Sequence, residues 1–381
     1  MADDTSLSLS LRNPDDRANT LNQDLEKINI WAKKWKIKFN AEKTELLNFK
    51  RDNLQTPTLT FDDTDLTDID THKHLGLVIQ NNCKWDSHID KITQTVTMLI
   101  SFLKSYKYRL SRKTLNHMYK SFILPHFDYC DIIYDNCTQY LSDKLENLHL
   151  EAIRTIVGAV RGTSHQKLYE ESGFTSLGER RKRHKLIFFH KIVHNACPSY
   201  LSERCPPLVA QINHYHRRRP LERHIPRCRT DLYSKSFFPE ATRLYNELPD
   251  DVKTIPSIGN LKHFLNQSDP IVPLYYYGDN RSKEIWHTRL RLGMSDLNYD
   301  LFRRHLVDDP ACSCGYISET AEHFLMHCTN HTQQRAATIG NLPGYLFFID
   351  ILLKGNTNMN NEQNKAVFDI VQDFIELTGR F

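Results

Sequence analysis

The sequence predicts an α+β fold that is mostly α-helical. Three observations carry this. Apolar residues recur at helical spacing over most of the chain, short runs of strand formers occur between residues 44 and 79, and a small cysteine and histidine box stands apart near residue 320. At 381 residues, 40% hydrophobic and 25% charged, the chain has ordinary globular usage and the length for two or three domains. Its net charge of +4 is too mild to mark a nucleic-acid partner alone, so electrostatic arguments rest on where Lys and Arg cluster.

The first helix is expected in "NPDDRANTLNQDLEKINIWAKKWKIKFN". Asn13 suits an N-cap, Pro14 the first turn, and Asp15 and Asp16 face the positive helix end. Ala18, Leu21, Leu25, Ile28, Ala32 and Trp35 then share one face as a buried stripe. The period changes in "TELLNF", "PTLTF" and "KHLGLVI", which predict strands of one small sheet. From Asp86, "DSHIDKITQTVTMLISFLKSYKYRL", "SRKTLNHMYKSFIL" and "TQYLSDKLENLHLEAIRTIVG" predict a helical bundle. Prolines interrupt "CPPLVAQINHYHRRRPLERHIPRCR", read as a linker or exposed loop, and helix returns between Ser236 and Leu265. The expected divisions are 1–85, 86–204, 205–280 and 281–381.

Nine cysteines, six of them scattered between Cys83 and Cys228, and a polar start rather than a signal peptide predict a reducing, intracellular compartment, nuclear or cytoplasmic and not secreted. The longest nearly apolar runs, "LIFFHKIV" and "YLFFIDILL", fall short of the roughly 20 residues a membrane span requires, which predicts a soluble protein. No serine elbow, phosphate-binding P-loop or His-Glu-x-x-His motif occurs.

Cys312, Cys314, His323 and Cys328 are spaced C-x-C-x8-H-x4-C, with Gly315 placed for a tight turn. Thiolates and an imidazole suit Zn²⁺ in a closed tetrahedral site that supports folding and does no chemistry. His327, four residues after His323 on a helix, is an alternative fourth ligand, and reduced buried cysteines beside incidental histidines are the alternative to a metal. Two basic clusters stand out. Arg180, Arg181, Lys182, Arg183 and Lys185 precede an apolar stripe of Leu186, Phe189 and Val193, so the helix should bury one face and leave its charge in solvent. Arg217, Arg218 and Arg219 are interleaved with His214, Tyr215 and His216, a mixture suited to phosphates and unpaired bases; the alternative for both clusters is a solvated face.

The order of these pieces resembles the second half of a reverse transcriptase from a non-LTR, LINE-like retrotransposon. "ADDTSL" resembles that family's catalytic box, an aromatic residue followed by Ala-Asp-Asp on a hairpin of the palm. "WAKKWKIKFNAEKTELLNF" resembles the next palm segment, with Asn40 and Lys43 at its Asn-x-x-Lys positions. "HKHLGLVI" resembles the primer-grip strand and turn, centred on Leu75 and Gly76, and "CKWDSHIDKI" the start of the thumb. "SKSFFPEATRLYNELPDDV" resembles a downstream segment, with Tyr245 where Trp is commoner, and "CSCGYISETAEHFLMHC" the family's C-terminal Cys-Cys-His-Cys box. The resemblance runs from residue 2 to about residue 335.

That resemblance implies a small palm-edge sheet with one helix, a helical thumb and connector, and a zinc-box tail. It also implies descent from RNA-directed DNA polymerases, which transfer phosphoryl groups in line between two Mg²⁺ ions held by carboxylates. Asp3 and Asp4 would be two such ligands and Lys43 a proton donor to departing pyrophosphate, whereas the third carboxylate belongs to an upstream palm strand. Met1 stands where the family has an aromatic residue, so the expectation is a truncated chain without polymerase activity of its own. The thumb and tail imply RNA or DNA as partner, held mainly through phosphates. The alternative is a non-enzymatic nucleic-acid-binding or scaffold protein reused from such an element.

Overall fold

Helix α1, Pro14–Trp35, opens on proline, whose missing N–H costs nothing in a first turn, and carries Lys33 and Lys34 where the helix end is negative. The computed structural model describes residues 5–10, 14–49, 58–212, 220–267 and 269–381, so Asp3, Asp4, Arg217, Arg218 and Arg219 lie outside the described residues. The described chain is mostly helical and divides into two compact units, residues 1–92 and 93–381.

In the first unit, Ala32 of the expected stripe is buried and Ala18, Leu21, Leu25 and Ile28 are half-buried, while Trp35 is 62% exposed. Polar side chains pin α1 to the strands instead. Asn22 accepts from Thr60 N–H (3.1 Å) and donates to Thr58 C=O (3.4 Å), and Asn29 donates to Asp62 (3.5 Å). The strands are β1 Glu45–Leu46, β2 Thr60–Phe61, β3 Thr64–Asp65, β4 Thr67–Asp68, β5 Thr71–His74 and β6 Leu77–Gln80. Where the sequence predicts one small sheet, among the described residues they form three separate two-stranded ladders: parallel β1–β4 and antiparallel β2–β3 and β5–β6. The reason is their length. The two-residue strands β2 and β3 are joined by Asp62 and Asp63 at φ 50° and 60°, a hairpin turn that asparagine and aspartate tolerate better than most residues.

The second unit contains α3 Arg112–Met118, α4 Leu124–Asp128, α5 Asp131–Tyr134, α6 Gln139–Val157, α7 His165–Ser172 and α8 Leu177–Val193, following α2 Asp86–Ser105, which begins in the first unit. Its residues, which the sequence reading divides at 204 and 280, pack as one body. A buried ionic network helps to join them: Glu171 accepts from Arg112 (2.9 Å) and from Arg291 Nε and Nη2 (2.9 and 2.8 Å). Arg281 donates to Thr155 and Ile156 C=O (3.2 and 2.5 Å), satisfying orphan carbonyls at the end of α6. Inside the bundle His149 is fully buried. Its Nε2–H donates to Thr175 C=O (3.0 Å), leaving Nδ1 to accept from the Tyr119 hydroxyl. Among the described residues no helix is long and apolar enough to cross a membrane.

Candidate metal centre

A hydrophobic core around helix Asn361–Thr378 supports the cysteine and histidine box. Val367, Val371, Phe374 and Ile375 from that helix pack with Leu290, Leu297, Leu346 and Leu352, and Phe324 and Leu325 from inside the box join the same cluster. The box is thereby fixed through its middle.

The first two thiols lie on a turn. Gly315 N–H donates to Cys312 C=O (2.9 Å) and Cys312 N–H to Tyr316 C=O (2.9 Å), with Gly315 at φ 89°, a conformation in which an L side chain is strained. Of the other two candidate ligands, His323 opens a one-turn π-helix, His323–His327, and Cys328 follows it, the turn closed by the bond from Cys328 N–H to His323 C=O (2.7 Å). In an α-helix, His327 would share a face with His323 and Cys328 would point well away from it. The wider π turn reverses that choice: His327 is exposed, and the ligand atoms of Cys312, Cys314, His323 and Cys328 all lie within 4.8 Å of one another.

The spacings fit a tetrahedral ion. Two sulfurs on Zn–S bonds of about 2.3 Å at the tetrahedral angle stand about 3.8 Å apart. The Cys312 and Cys328 sulfurs are 3.7 Å apart, and Cys314 Sγ is 3.3 Å from His323 Nε2. A disulfide would need about 2 Å. Burial lowers the pKa of His323, with His327 adding to the effect, and this favours the neutral imidazole that ligates metals. Burial pushes the Cys328 thiol up, offset in part by the Asn330 backbone N–H.

Sequence reasoning missed the residues that hold the box. Arg335 donates to the carbonyls of Leu325 (2.8 Å), Phe324 (3.3 Å) and Cys328 (2.9 Å), bracing the π turn. Buried Glu319 accepts from Arg380 Nε and Nη2 (2.9 and 2.7 Å) and from Asn298 N–H (2.8 Å), tying the chain between the two ligand pairs to the C-terminus. The Tyr316 ring stacks on His323 at 4.3 Å with an interplanar angle of 3°. No local spacing signals these partners. His323 Nδ1 is buried without a hydrogen-bond partner, so the ring is oriented by stacking rather than by the second hydrogen bond that ligating histidines ordinarily make.

The remaining candidates are scattered. Lys43 is exposed at the end of the short helix Ala41–Lys43, its backbone N–H bonded to Asn40 Oδ1 (3.3 Å). Leu75 and Gly76 form the two-residue β5–β6 turn at φ 45° and 91°, the positive angles that such a hairpin requires. The basic segment of α8 corrects the expectation of charge left in solvent. Arg181, Arg183 and Lys185 are buried. Arg180 makes a fork with Asp128 (3.0 and 2.5 Å), Arg181 pairs with Asp135 (2.5 Å), Lys185 pairs with the same Asp135, and Arg183 pairs with Asp269 (2.5 Å). Helix α8 packs against α4, α5, α6 and helix Phe237–Glu247, so Arg181, Arg183 and Lys185 are enclosed and each needs a carboxylate. Lys182 is half-buried.

No protein-family model and no solved structure matches the chain. Among curated proteins, it is 24% identical over 161 residues to the "RNA-directed DNA polymerase from mobile element jockey" of Drosophila melanogaster, covering 42% of this chain and 18% of that protein. It is 22% identical over 215 residues to the "Probable RNA-directed DNA polymerase from transposon X-element" of Drosophila melanogaster, covering 54% of this chain and 23% of that one. The jockey polymerase of Drosophila funebris matches at 23% over 144 residues, 37% of this chain and 16% of the relative. The matched stretch thus spans about a fifth of the length of these relatives. The similarity supports descent shared with RNA-directed DNA polymerases of LINE-type elements.

Proposed function

We propose that this chain is a nucleic-acid-handling part of a reverse-transcriptase-type protein, with a structural zinc ion organising its C-terminal region. The observation that carries the reading is the convergence of Cys312, Cys314, His323 and Cys328 at tetrahedral spacing, within a chain similar to mobile-element polymerases. Three thiolates and one imidazole are the donor set of a closed zinc site, and with four protein ligands the ion would contribute folding energy rather than a reactive water. The partner is RNA or DNA, bound mainly through phosphates and therefore weakened steeply by salt.

On this reading the chain alone does not extend a primer. In-line phosphoryl transfer depends on carboxylates that hold two Mg²⁺ ions and on surfaces that position template and nucleotide, and the matched stretch is about a fifth of the relatives' length. The paired cations of α8 lend little to nucleic-acid binding, because withdrawing them would strand half-buried carboxylates. Metal analysis of the purified chain, with oligonucleotide binding measured at two salt concentrations, tests the proposal. One zinc per chain and salt-sensitive binding support it; a metal-free, fully folded chain that ignores nucleic acid refutes it. Robust Mg²⁺-dependent primer extension refutes the inactivity.

A further inference from the structure

A second set of cations is not engaged by the features above. Arg161, between α6 and α7, lines a cavity of about 750 Å³ together with Arg303 and Arg304 at the end of helix Asn298–Arg303. Arg161 and Arg303 are exposed, and neither makes an ion pair among the described residues. Gly293, on the cavity wall, marks where charge converges. From the point its Cβ would occupy, the heavy atoms within 4 Å, chain neighbours aside, are Lys167 Nζ at 3.8 Å and Arg303 Nη1 at 3.9 Å. Two cations from distant parts of the sequence thus flank one backbone position that has no side chain.

The groups that would repel an anion here are already engaged. The carbonyl end of helix Arg281–Leu292 is satisfied: Lys167 donates to Leu292 C=O (2.6 Å), Gly293 N–H to Leu290 C=O and Met294 N–H to Arg289 C=O (3.0 Å each). Buried Asp300 accepts from the N–H and hydroxyl of Ser295 (2.9 and 2.6 Å), and Asp296 lies between Arg289 (3.3 Å) and Arg304 (3.9 Å). Beside Arg303, the exposed Tyr299 ring lies with its centroid 5.9 Å from the guanidinium, a pair of flat groups on which an unpaired base could stack.

We propose that this cavity binds a phosphate group, and that the group belongs to the backbone of a single-stranded nucleic acid. The anion site stands on the geometry alone, whereas the identity of the ligand rests on the function proposed above. The test uses the full chain, wild type against the Arg161→Gln/Arg303→Gln double variant, in two assays. One is thermal melting with sodium pyrophosphate; the other is fluorescence anisotropy of labelled single-stranded RNA and DNA across a salt series. The expected result is that pyrophosphate raises the melting temperature of the wild type alone. The double variant should bind oligonucleotide about tenfold more weakly, and its log K against log salt slope should be shallower by up to about 1.4, two phosphate contacts' worth. Because both arginines are exposed, the variant should keep the zinc content and buffer melting temperature of the wild type, and Arg303→Lys should keep most of the slope. Equal behaviour of wild type and double variant in both assays overturns the site. Pyrophosphate stabilisation lost in the variant, with no oligonucleotide binding even by the wild type, upholds the anion site and overturns both its nucleic-acid ligand and the proposed function. Oligonucleotide binding with an unchanged slope overturns the nucleic-acid ligand of this site while the proposed function stands.

Discussion

Cys328→Ser and His327→Ala separate the π-turn geometry from the α-helical alternative. The 3.7 Å between the Cys312 and Cys328 sulfurs is the edge of a tetrahedron whose centre lies about 2.3 Å from each, the Zn–S bond length. Removing Cys328 would therefore remove one of the four candidate ligands, while His327 is exposed outside the group. A ligand bound only to the folded state at about a thousandfold over its Kd stabilises it by about 4 kcal/mol. For a unit of this size that corresponds to a melting shift of roughly 8 °C. The assay is melting with and without a chelator, read as the zinc-dependent increment so that packing changes cancel, with zinc stoichiometry measured alongside. Wild type and His327→Ala should hold one zinc and lose the increment on chelation, and Cys328→Ser should show neither. A Cys328→Ser protein that retains stoichiometric zinc, or a His327→Ala protein that loses it, refutes the geometric argument.

Acid should destabilise the second unit. Burial lowers His149 to about 4 and His287 to about 3, so below the ordinary value of 6.5 the unfolded chain takes up protons that the folded chain refuses, and stability is lost as pH falls. Glu284 acts oppositely: burial raises it to about 7 from 4.5, so its contribution grows as pH falls through that window. The buried histidines outweigh the one glutamate, so stability should fall on the order of 1 kcal/mol per pH unit between 6.5 and 4.5, readable as a falling urea midpoint; a flat or rising midpoint contradicts it. Asp135→Ala should lower stability by about 3 kcal/mol, because it strands buried Arg181 and Lys185, whereas Lys182→Ala should change it by less than about 0.5 kcal/mol; chemical denaturation compares them. Leu75→Asn should stabilise the first unit by up to about 1 kcal/mol, since asparagine accepts the φ of 45° that leucine resists, and hydrogen exchange of β5 and β6 should slow accordingly.

Several helices were legible in the sequence because they carry their own signal, as where Gly158 stops α6 with a positive φ, whereas α7, capped by Ser164, and helix Asn361–Thr378 were not read from it. The four ligand types were equally plain in "CSCGYISETAEHFLMHC". Other features were undetermined locally. The sequence offered His327 as an alternative to Cys328, and Cys328 joins the cluster through a π turn braced by Arg335 and by Phe324 and Leu325 in the core. The cation-rich start of α8 reads as a solvated face until Asp128, Asp135 and Asp269, far away in sequence, close around it. The sequence by itself determined the residue types, the turns and the helix ends, which depend on neighbours a few positions apart. Tertiary structure decided which charges are enclosed and which side chains share a centre, because burial and ion pairing depend on groups that only the folded chain brings within reach.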